Sequence, residues 1–577
     1  MDIKLVKRRS SFMIDMNLKI VRGLSYSQLY PDGEETIEEL VSGLPTCNSV
    51  VWLSYIVNLK QNLTINETDI HILARLMFSF EPDLQHRITD FLGSFVDRSE
   101  LYINVSALLN TVKCLLSMPN KNRHELSKEE MTRLFKAYLI DCDNYLAENK
   151  MAQKPMNAPD DMLHYYMPWA MKTNTVSSIK EPMMELVKGK LFLMDFSSQD
   201  KEFSNYVKVF LHERQCSDPS MYLWHIFSVV SELITRDHRT NVIKVDGHSS
   251  ICGFLDHSSV NTNDTYWEGN DPNIQEYPVF KVDSNTYCIL YIKFFTDKLF
   301  HSMIFDMAAV LSKKQLIKGT PGQVYVQLKQ KIGQRFTEKY LFYLIMKGIL
   351  ANKHYQIWTG EKLKQSYGDG MPDMIAIKAQ RIFVFEFKDI QLSAKIKECG
   401  DFDTIINKIN LELVQTEKGK PKGVTQIANV IEKRLKTILP PNEKLKIYPV
   451  LVYTESSFDL EGVNYYLNNR FREVLSSRNI DDNFCIKDLV MVNLDTLFMF
   501  DRAFRDHKLK FDVLINDFLS YKTSKIEHGA VPFNKFLFQR GKAKGYFYKS
   551  SGIVRETMEE LSAYEREYKS KEVSTYD

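Results

Sequence analysis

The sequence lacks the closely spaced cysteines that mark zinc sites and redox centres. No two of its eight cysteines are separated by the two to four residues of a zinc knuckle or a redox pair. We therefore expect free, buried thiols rather than a metal or disulfide framework. The cysteines are Cys47, Cys114, Cys142, Cys216, Cys252, Cys288, Cys399 and Cys485.

Long apolar runs are missing as well. The basic residues near the amino terminus are not followed by the apolar core of a signal peptide, and no stretch is long enough to cross a bilayer. These absences predict a cytoplasmic protein with no membrane partner. The chain also has no helicase P-loop.

The sequence has almost no net charge, only +2. A nucleic-acid partner is not indicated by this balance, so any basic surface must be local. Length and composition are those of an ordered globular protein: 577 residues, 44% hydrophobic and 26% charged, enough for two to four domains.

Periodicity divides the chain into four regions and predicts an α/β multidomain fold. The first region has apolar residues at helical steps. The second has short strands, a helix predicted at Asp297–Leu311 and a linker. The third alternates helices and strands, and the last is a helical extension, with one helix predicted at Lys487–Asp506, and a basic and aromatic tail. Their predicted bounds are residues 1–240, 241–318, 319–460 and 461–577.

Residues 371–389 predict a β-hairpin with charged groups at one end. Two apolar runs, Met374–Ile377 and Ile382–Phe387, flank a short polar break. Alternation along the second run leaves both of its faces largely apolar, so this strand should be central in a sheet. A central strand that ends in Glu386 and Lys388 calls for partners for these charges, and the hairpin can bring Asp373 beside Glu386.

Two carboxylates and a lysine at a strand end suit metal-assisted hydrolysis of phosphodiester bonds. Magnesium prefers carboxylate oxygens and keeps several waters, one of which can become the nucleophile. The lysine can orient or deprotonate that water, or stabilise the charge that develops on the phosphate.

Pro372-Asp373, twelve intervening residues and then Glu386-Phe387-Lys388 resemble the PD-(D/E)xK signature of the restriction-endonuclease-like nucleases. The resemblance implies an α-β-β-β-α-β core within residues 319–460 and a Mg²⁺- or Mn²⁺-dependent endonuclease. It implies that Asp373, Glu386 and the backbone carbonyl of Phe387 hold the metal and that Lys388 acts on the attacking water.

The flanking sequence predicts the other elements of such a core. The expected elements are a helix at Lys331–Leu350, a strand at His354–Thr359, a mostly polar stretch at Gly360–Tyr367 that runs into a loop at Gly368–Gly370, a helix at Val424–Leu439 and a closing strand at Lys446–Tyr453. By the resemblance, Glu338 in the first helix is an auxiliary metal or water ligand, and Gln426 in the second positions Lys388 or a phosphate. A tyrosine often follows that glutamine by four residues in one branch of the family, and Val430 stands there instead.

Two other interpretations of the chain remain open. The nuclease fold is also used by inactive nucleic-acid-binding or scaffold proteins. Arg502 and His507 have the spacing of the metal-independent HEPN ribonucleases, although Ala503 replaces the usual polar residue. In addition, residues 535–549 interleave basic and aromatic side chains, which suits either phosphate and base contacts or an unliganded basic hairpin.

The predicted partner is nucleic acid, with DNA favoured over RNA because most of the nuclease superfamily acts on DNA. A large accessory region beside a nuclease suits defence against foreign DNA. A homo-oligomer or a partner subunit is also compatible with this architecture.

Overall fold

The computed structural model describes an α/β protein, in which most residues are helical and the sheets are mixed. The residues described are 20–60, 68–94, 99–147, 159–177, 182–235, 241–246, 250–260, 273–350, 354–439, 444–543 and 552–574. No helix in these ranges is long and apolar enough to span a membrane.

The first 147 residues are mainly helices, packed around a hydrophobic core that also takes in side chains from residues 260–294. The two short strands of this region pair in parallel. The strands are β1 (Ile20–Gly23) and β2 (Ser99–Tyr102); the helices are α1 (Tyr26–Leu29), α2 (Ile37–Val41), α3 (Thr46–Lys60), α4 (Asp69–Met77), α5 (Pro82–Gly93), α6 (Val105–Ser117) and α7 (Lys128–Ala147).

Helices also make up residues 159–235. Two segments here, Met162–Tyr166 and Leu191–Phe196, are wider π-helical turns between α-helices. The α-helices are α8 (Pro159–Asp161), α9 (Met167–Ser177), α10 (Pro182–Lys190), α11 (Ser197–Gln199), α12 (Lys201–Glu213) and α13 (Pro219–Thr235).

A small antiparallel sheet follows, as predicted for the second region. Its strands, β3 (Val242–Lys244), β4 (Val279–Lys281) and β5 (Thr286–Ile289), lie in the order β3-β5-β4, and α14 (Ser250–His257) separates β3 from β4. One helix was expected over Asp297–Leu311, but the chain forms α15 (Ile292–Asp297) and α16 (Met303–Lys313) with a turn between them.

The central sheet is built on the predicted hairpin, which is confirmed. Strands β7 (Met374–Lys378) and β8 (Arg381–Lys388) are antiparallel, β6 (Gln356–Thr359) pairs with β7, and β9 (Leu445–Tyr453) runs parallel to β8. Strand β8 therefore lies between two neighbours, as its apolar faces predicted.

The side chains of β8 divide between two hydrophobic cores. Phe383, Phe385 and Phe387 point into a core shared with residues 184–350 and the carboxyl-terminal helices, whereas Ile382 and Val384 point into a second core. Helices thus cover both faces of the sheet, which explains why β8 is apolar throughout.

The helix that precedes the sheet begins earlier than expected. Thr320 caps its first turn and Pro321 occupies the first helical position, so α17 (Pro321–Ile332) starts well before Lys331. A π-helical segment, Gly333–Phe342, then leads without a break into α18 (Tyr343–Leu350).

The expected order of helix, three strands, helix and strand is present, with further helices inserted. The mostly polar stretch Gly360–Tyr367, for which no element was predicted, is a helix, α19. Two more helices, α20 (Ala394–Glu398) and α21 (Phe402–Leu413), precede α22 (Gly423–Lys433) and α23 (Leu435–Ile438). Element order alone does not assign the chain to a family.

The sheet continues past residue 460, where we expected the core to end. Strands β10 (Phe484–Ile486) and β11 (Val490–Asn493) both pair in parallel with β9. The prediction of one helix over Lys487–Asp506 is therefore wrong in its first part, and helical structure begins only at Leu494. The remaining helices are α24 (Val463–Ser476), α25 (Leu494–Met499), α26 (Asp501–Arg505), α27 (Phe511–Lys522), α28 (Phe533–Ala543) and α29 (Gly552–Ser574).

Candidate functional site

The hairpin brings Asp373 to the end of β8. Met374 pairs with Phe385, so the next position outward places Asp373 opposite Glu386. The Asp373 Oδ2 atom accepts a hydrogen bond of 2.7 Å from the backbone N–H of Phe387. The carboxylates of Asp373 and Glu386 are therefore neighbours at one edge of the hairpin.

The backbone of Asp373 is held by two donors. The Tyr343 hydroxyl donates to its carbonyl oxygen at 2.8 Å, and the Gly360 N–H donates to the same atom at 2.7 Å. A Cβ atom at Gly360 would lie only 3.0 Å from that oxygen. Glycine at this position therefore allows α19 to begin in direct contact with Asp373.

Lys388 lies on the same face of β8 as Glu386. Its Nζ atom is 2.7 Å from Glu386 Oε1. The side chain of Glu386 is only 4% exposed, while that of Lys388 is 20% exposed. The ammonium group thus closes the buried carboxylate off on one side and faces solvent on the other.

Burial raises the pKa of both carboxyl groups, and the charge of Asp373 adds to the shift at Glu386. Burial is the largest cause for Glu386, followed by the Asp373 charge, and together they raise its pKa to about 8 against the opposing effect of Lys388. Burial also raises the pKa of Asp373, although Lys388 and the Phe387 N–H oppose this shift. A bound divalent cation would oppose such shifts further, and carboxylates perturbed together in this way are typical of functional sites.

Lys388 remains an ammonium group in this setting. Burial lowers its pKa, but the carboxylates of Glu386 and Asp373 outweigh burial, and the net shift is upward. A lysine with a raised pKa is a poor base at neutral pH. Its available chemistry is charge stabilisation and hydrogen-bond donation.

Glu338 approaches the pair from the π-helical segment. The ring of Phe342, on the same segment, stacks on Phe387 with centroids 5.1 Å apart and fixes the helix against the end of β8. Burial, followed by the charge of Asp373, raises the pKa of Glu338 to about 7. Glu338 is therefore within electrostatic reach of the two strand carboxylates.

Gln426 lies in the first turn of α22, which packs against β8. Its side chain is half-buried. In the described part of the chain, its amide makes no hydrogen bond to Asp373, Glu386 or Lys388. The resemblance implied that Gln426 positions Lys388, but the two side chains are not hydrogen-bonded in the described residues.

A residue that the sequence reading overlooked, Asp389, anchors the end of β8. Both of its carboxylate oxygens accept from Lys329 Nζ, at 3.0 and 2.9 Å, and Thr454 Oγ1 donates to Oδ1 at 2.7 Å. Burial raises the pKa of Asp389, but Lys329 and the hydroxyl donors hold it below its usual value. The sequence signal that could have indicated Asp389 was its position directly after Lys388.

The ligands for a cation here are oxygen atoms from a small set of groups. Among the described residues, no group of three or more His, Cys, Asp or Glu side chains is arranged to hold a metal ion. Besides the Asp373 and Glu386 carboxylates, the Phe387 carbonyl faces the Asp373 side, because the N–H and C=O of one strand residue point the same way. This set suits a hard divalent ion that keeps several waters.

The alternative HEPN pair does not share a helix. Helix α26 ends at Arg505, and His507 follows it with a left-handed backbone, φ 57°. Arg502 pairs with Asp506 at 2.9 Å.

Much of the basic and aromatic segment 535–549 is engaged within the protein. Residues 535–543 belong to α28 rather than to a hairpin, with Phe536 buried in the core. Lys535 pairs with Glu461, and Arg540 with Asp517. Residues 544–549 lie outside the described residues.

No protein-family model matches this chain, and no match is found among curated proteins or solved structures. The functional assignment therefore rests on the geometry of the site.

Proposed function

We propose that the cluster of Asp373, Glu386 and Lys388 is the active site of a metal-dependent endonuclease. The observation that carries this proposal is the meeting of two acids of raised pKa with an ammonium group at the end of a buried strand. Such an arrangement is electrostatically costly without a cation and an anionic substrate.

Asp373, Glu386 and the carbonyl of Phe387 are the groups that would hold Mg²⁺ or Mn²⁺. When bound, the ion supplies a water of lowered pKa and neutralises charge on the phosphate. The Phe387 N–H keeps Asp373 Oδ2 in place, which leaves Oδ1 for the ion. The two donors to the Asp373 carbonyl keep this residue in register with Glu386.

Lys388 orients the attacking water and stabilises charge on the phosphate. Because its pKa is raised, it acts as a cation and a hydrogen-bond donor, and not as the group that removes the proton. Glu338, a partly exposed carboxyl group within electrostatic reach of Asp373, is the better candidate for accepting that proton. We assign to Gln426 the role of contacting a phosphate of the substrate.

The proposed substrate is nucleic acid, DNA in preference to RNA, and the proposed setting is cytoplasmic defence against foreign DNA. The partly exposed side chains of Asp373, Glu338 and Lys388 leave the site open to a phosphodiester. A homo-oligomer or partner subunit is part of the same proposal.

The test is cleavage of plasmid DNA, single-stranded DNA and RNA by the purified protein with Mg²⁺, with Mn²⁺ and with EDTA. We expect metal-dependent cleavage that falls at least ~100-fold in Asp373→Asn and in Lys388→Met. Asp369→Asn and Lys339→Met are matched controls, because both side chains are exposed near the site.

Other outcomes identify the alternatives. Intact substrates under all conditions, with Lys388→Met indistinguishable from the parent protein, would indicate an inactive scaffold. RNA cleavage in EDTA that is lost in His507→Ala would indicate a HEPN-type ribonuclease.

A further inference from the structure

Helix α3 carries apolar residues on opposite faces, although one of these faces is only partly buried among the described residues. Its sequence is TCNSVVWLSYIVNLK. A helix of this kind is expected to be buried all round. Val50, Leu53 and Val57 do lie in the amino-terminal core. The opposite face, Cys47, Asn48, Val51, Trp52 and Tyr55, is only partly buried and lines a cavity.

The cavity has a volume of about 450 Å³, which is within the range of small-molecule sites. Its other walls come from the segment before α7, from the first turn of α7, and from the small sheet and its flanking residues. These walls are formed by Glu125, Leu126, Met131, Asn241, Val242 and Val282.

Hydrogen bonds hold the walls together before any ligand arrives. Asn58 of α3 donates to the carbonyl of Ile289 at 2.9 Å and accepts from the N–H of Ile292 at 2.8 Å, which ties α3 to the sheet. The buried Asn241 amide donates to Cys288 Sγ at 3.0 Å. Trp52 packs edge-on against Phe80, with centroids 6.3 Å apart.

Polar groups stand at the edge of this apolar cavity. The exposed carboxylate of Glu125 and the amide of Asn48 are both part of its lining. At the rim, Arg75 donates to the Tyr55 hydroxyl at 3.4 Å, and Arg123 donates to the Val282 carbonyl at 2.7 Å.

We propose that this cavity is a binding site for a purine base. Trp52 and Tyr55 offer aromatic surface to a planar ring, and stacking of bases on aromatic side chains is a strong, general contact. The Glu125 carboxylate can accept from the exocyclic amine that adenine and guanine both carry, and from the N1–H beside that amine in guanine. The site is separate from the acidic cluster, so the proposal does not depend on nuclease activity.

The experiment measures binding to the full-length protein in EDTA, by tryptophan fluorescence and by the shift in melting temperature. The probes are guanosine, adenosine, GMP, uridine and ribose 5-phosphate. We expect the purine probes to quench fluorescence and raise the melting temperature, with uridine at least about tenfold weaker and ribose 5-phosphate inactive. No binding of the purines at millimolar concentration, or equal binding of ribose 5-phosphate, would overturn the proposal.

Variants assign the binding to this cavity. Glu125→Gln and Tyr55→Leu should each weaken purine binding about tenfold, while Glu129→Gln, an exposed acid on α7, should not. Trp52→Phe should remove the fluorescence change, because among the described tryptophans Trp52 is the one that lines the cavity. Unchanged affinity in both Glu125→Gln and Tyr55→Leu would refute the assignment.

A last comparison distinguishes the source of the base. Tighter binding of guanosine or GMP than of a purine oligonucleotide would identify a free nucleoside or nucleotide as the ligand. The reverse order would support the same site and identify a base within a nucleic-acid chain.

Discussion

In the proposed site, Glu386 is the residue whose charge is most unfavourable in free energy. A carboxylate 4% exposed beside a second acid is retained only where something compensates for burial and repulsion. The sequence located this residue because a charge at the end of an apolar strand breaks the pattern. The sequence did not indicate a role for Asp389, because a further charged residue after the end of a strand is typical of an ordinary loop.

Glu338 makes stability depend on pH. Its pKa in the folded protein, about 7 against an ordinary 4.5, means that the folded state binds more protons than the unfolded state between these values. Stability therefore falls as pH rises from about 4.5 to 7. In EDTA at pH 8, Glu338→Gln should exceed the parent protein by on the order of 1–3 kcal/mol in free energy of unfolding.

Urea unfolding at pH 4.5 and pH 8 measures this difference, which should disappear at the lower pH. Glu398→Gln, at an exposed position, is the control and should change little at either pH. An equal gain for Glu338→Gln at both values would contradict the assigned pKa.

Gly360 is a positioning residue for Asp373. In Gly360→Ala, the new methyl group would lie 3.0 Å from the Asp373 carbonyl oxygen and 3.2 Å from its Cα atom. The neighbouring atoms are backbone, so Asp373 must shift, and we expect metal-dependent cleavage to fall roughly 10- to 100-fold.

The measurement is kcat on the best substrate, together with the melting temperature. Gly322→Ala is a suitable control, because that glycine is also in the first turn of a helix and has open space around its Cα. Full activity of Gly360→Ala at parental stability would show that Asp373 does not need this contact.

At the scale of elements, predictions were correct where the apolar residues recur with a clear helical or strand period, and wrong where they do not. The hairpin was predictable because its runs alternate between two apolar faces. Helix α19 was not, because Leu363 is its one buried residue and gives no period. Strand β11 was read as helix because all four of its residues are buried, and short apolar runs fit either period.

Asp389 joins three elements: the end of β8, helix α17 through Lys329, and the residue after β9 through Thr454. Asp389→Asn leaves the Lys329 ammonium without its partner, and we expect a loss of roughly 3 kcal/mol in stability. Lys329→Met combined with Asp389→Asn should cost less than the sum of the single changes. Chemical denaturation of the four proteins measures this coupling, and strict additivity would contradict it.

At the scale of the whole molecule, hydrophobic cores cross the region boundaries drawn from sequence. One core runs from Met184 to Leu561 and includes Phe336, Phe385 and Val492. Ion pairs also link distant regions, such as Lys188 with Asp495 and Lys331 with Glu202. Sequence patterns report which face of an element is apolar, but not which distant element will cover it.

A fragment of residues 319–460 should therefore not fold alone. It would lack β10, β11 and the helices that cover the phenylalanine face of β8. We expect little cooperative unfolding by circular dichroism, whereas a fragment of residues 159–574 should retain a melting transition. A cooperative transition in the shorter fragment would contradict the shared core.

This continuous core also bears on how such a protein can change over generations. A sheet that draws its packing from residues both before and after it in the chain cannot be exchanged as a separate unit by gene fusion. Diversification would then proceed by substitution in place, most freely on the surfaces that the core does not use.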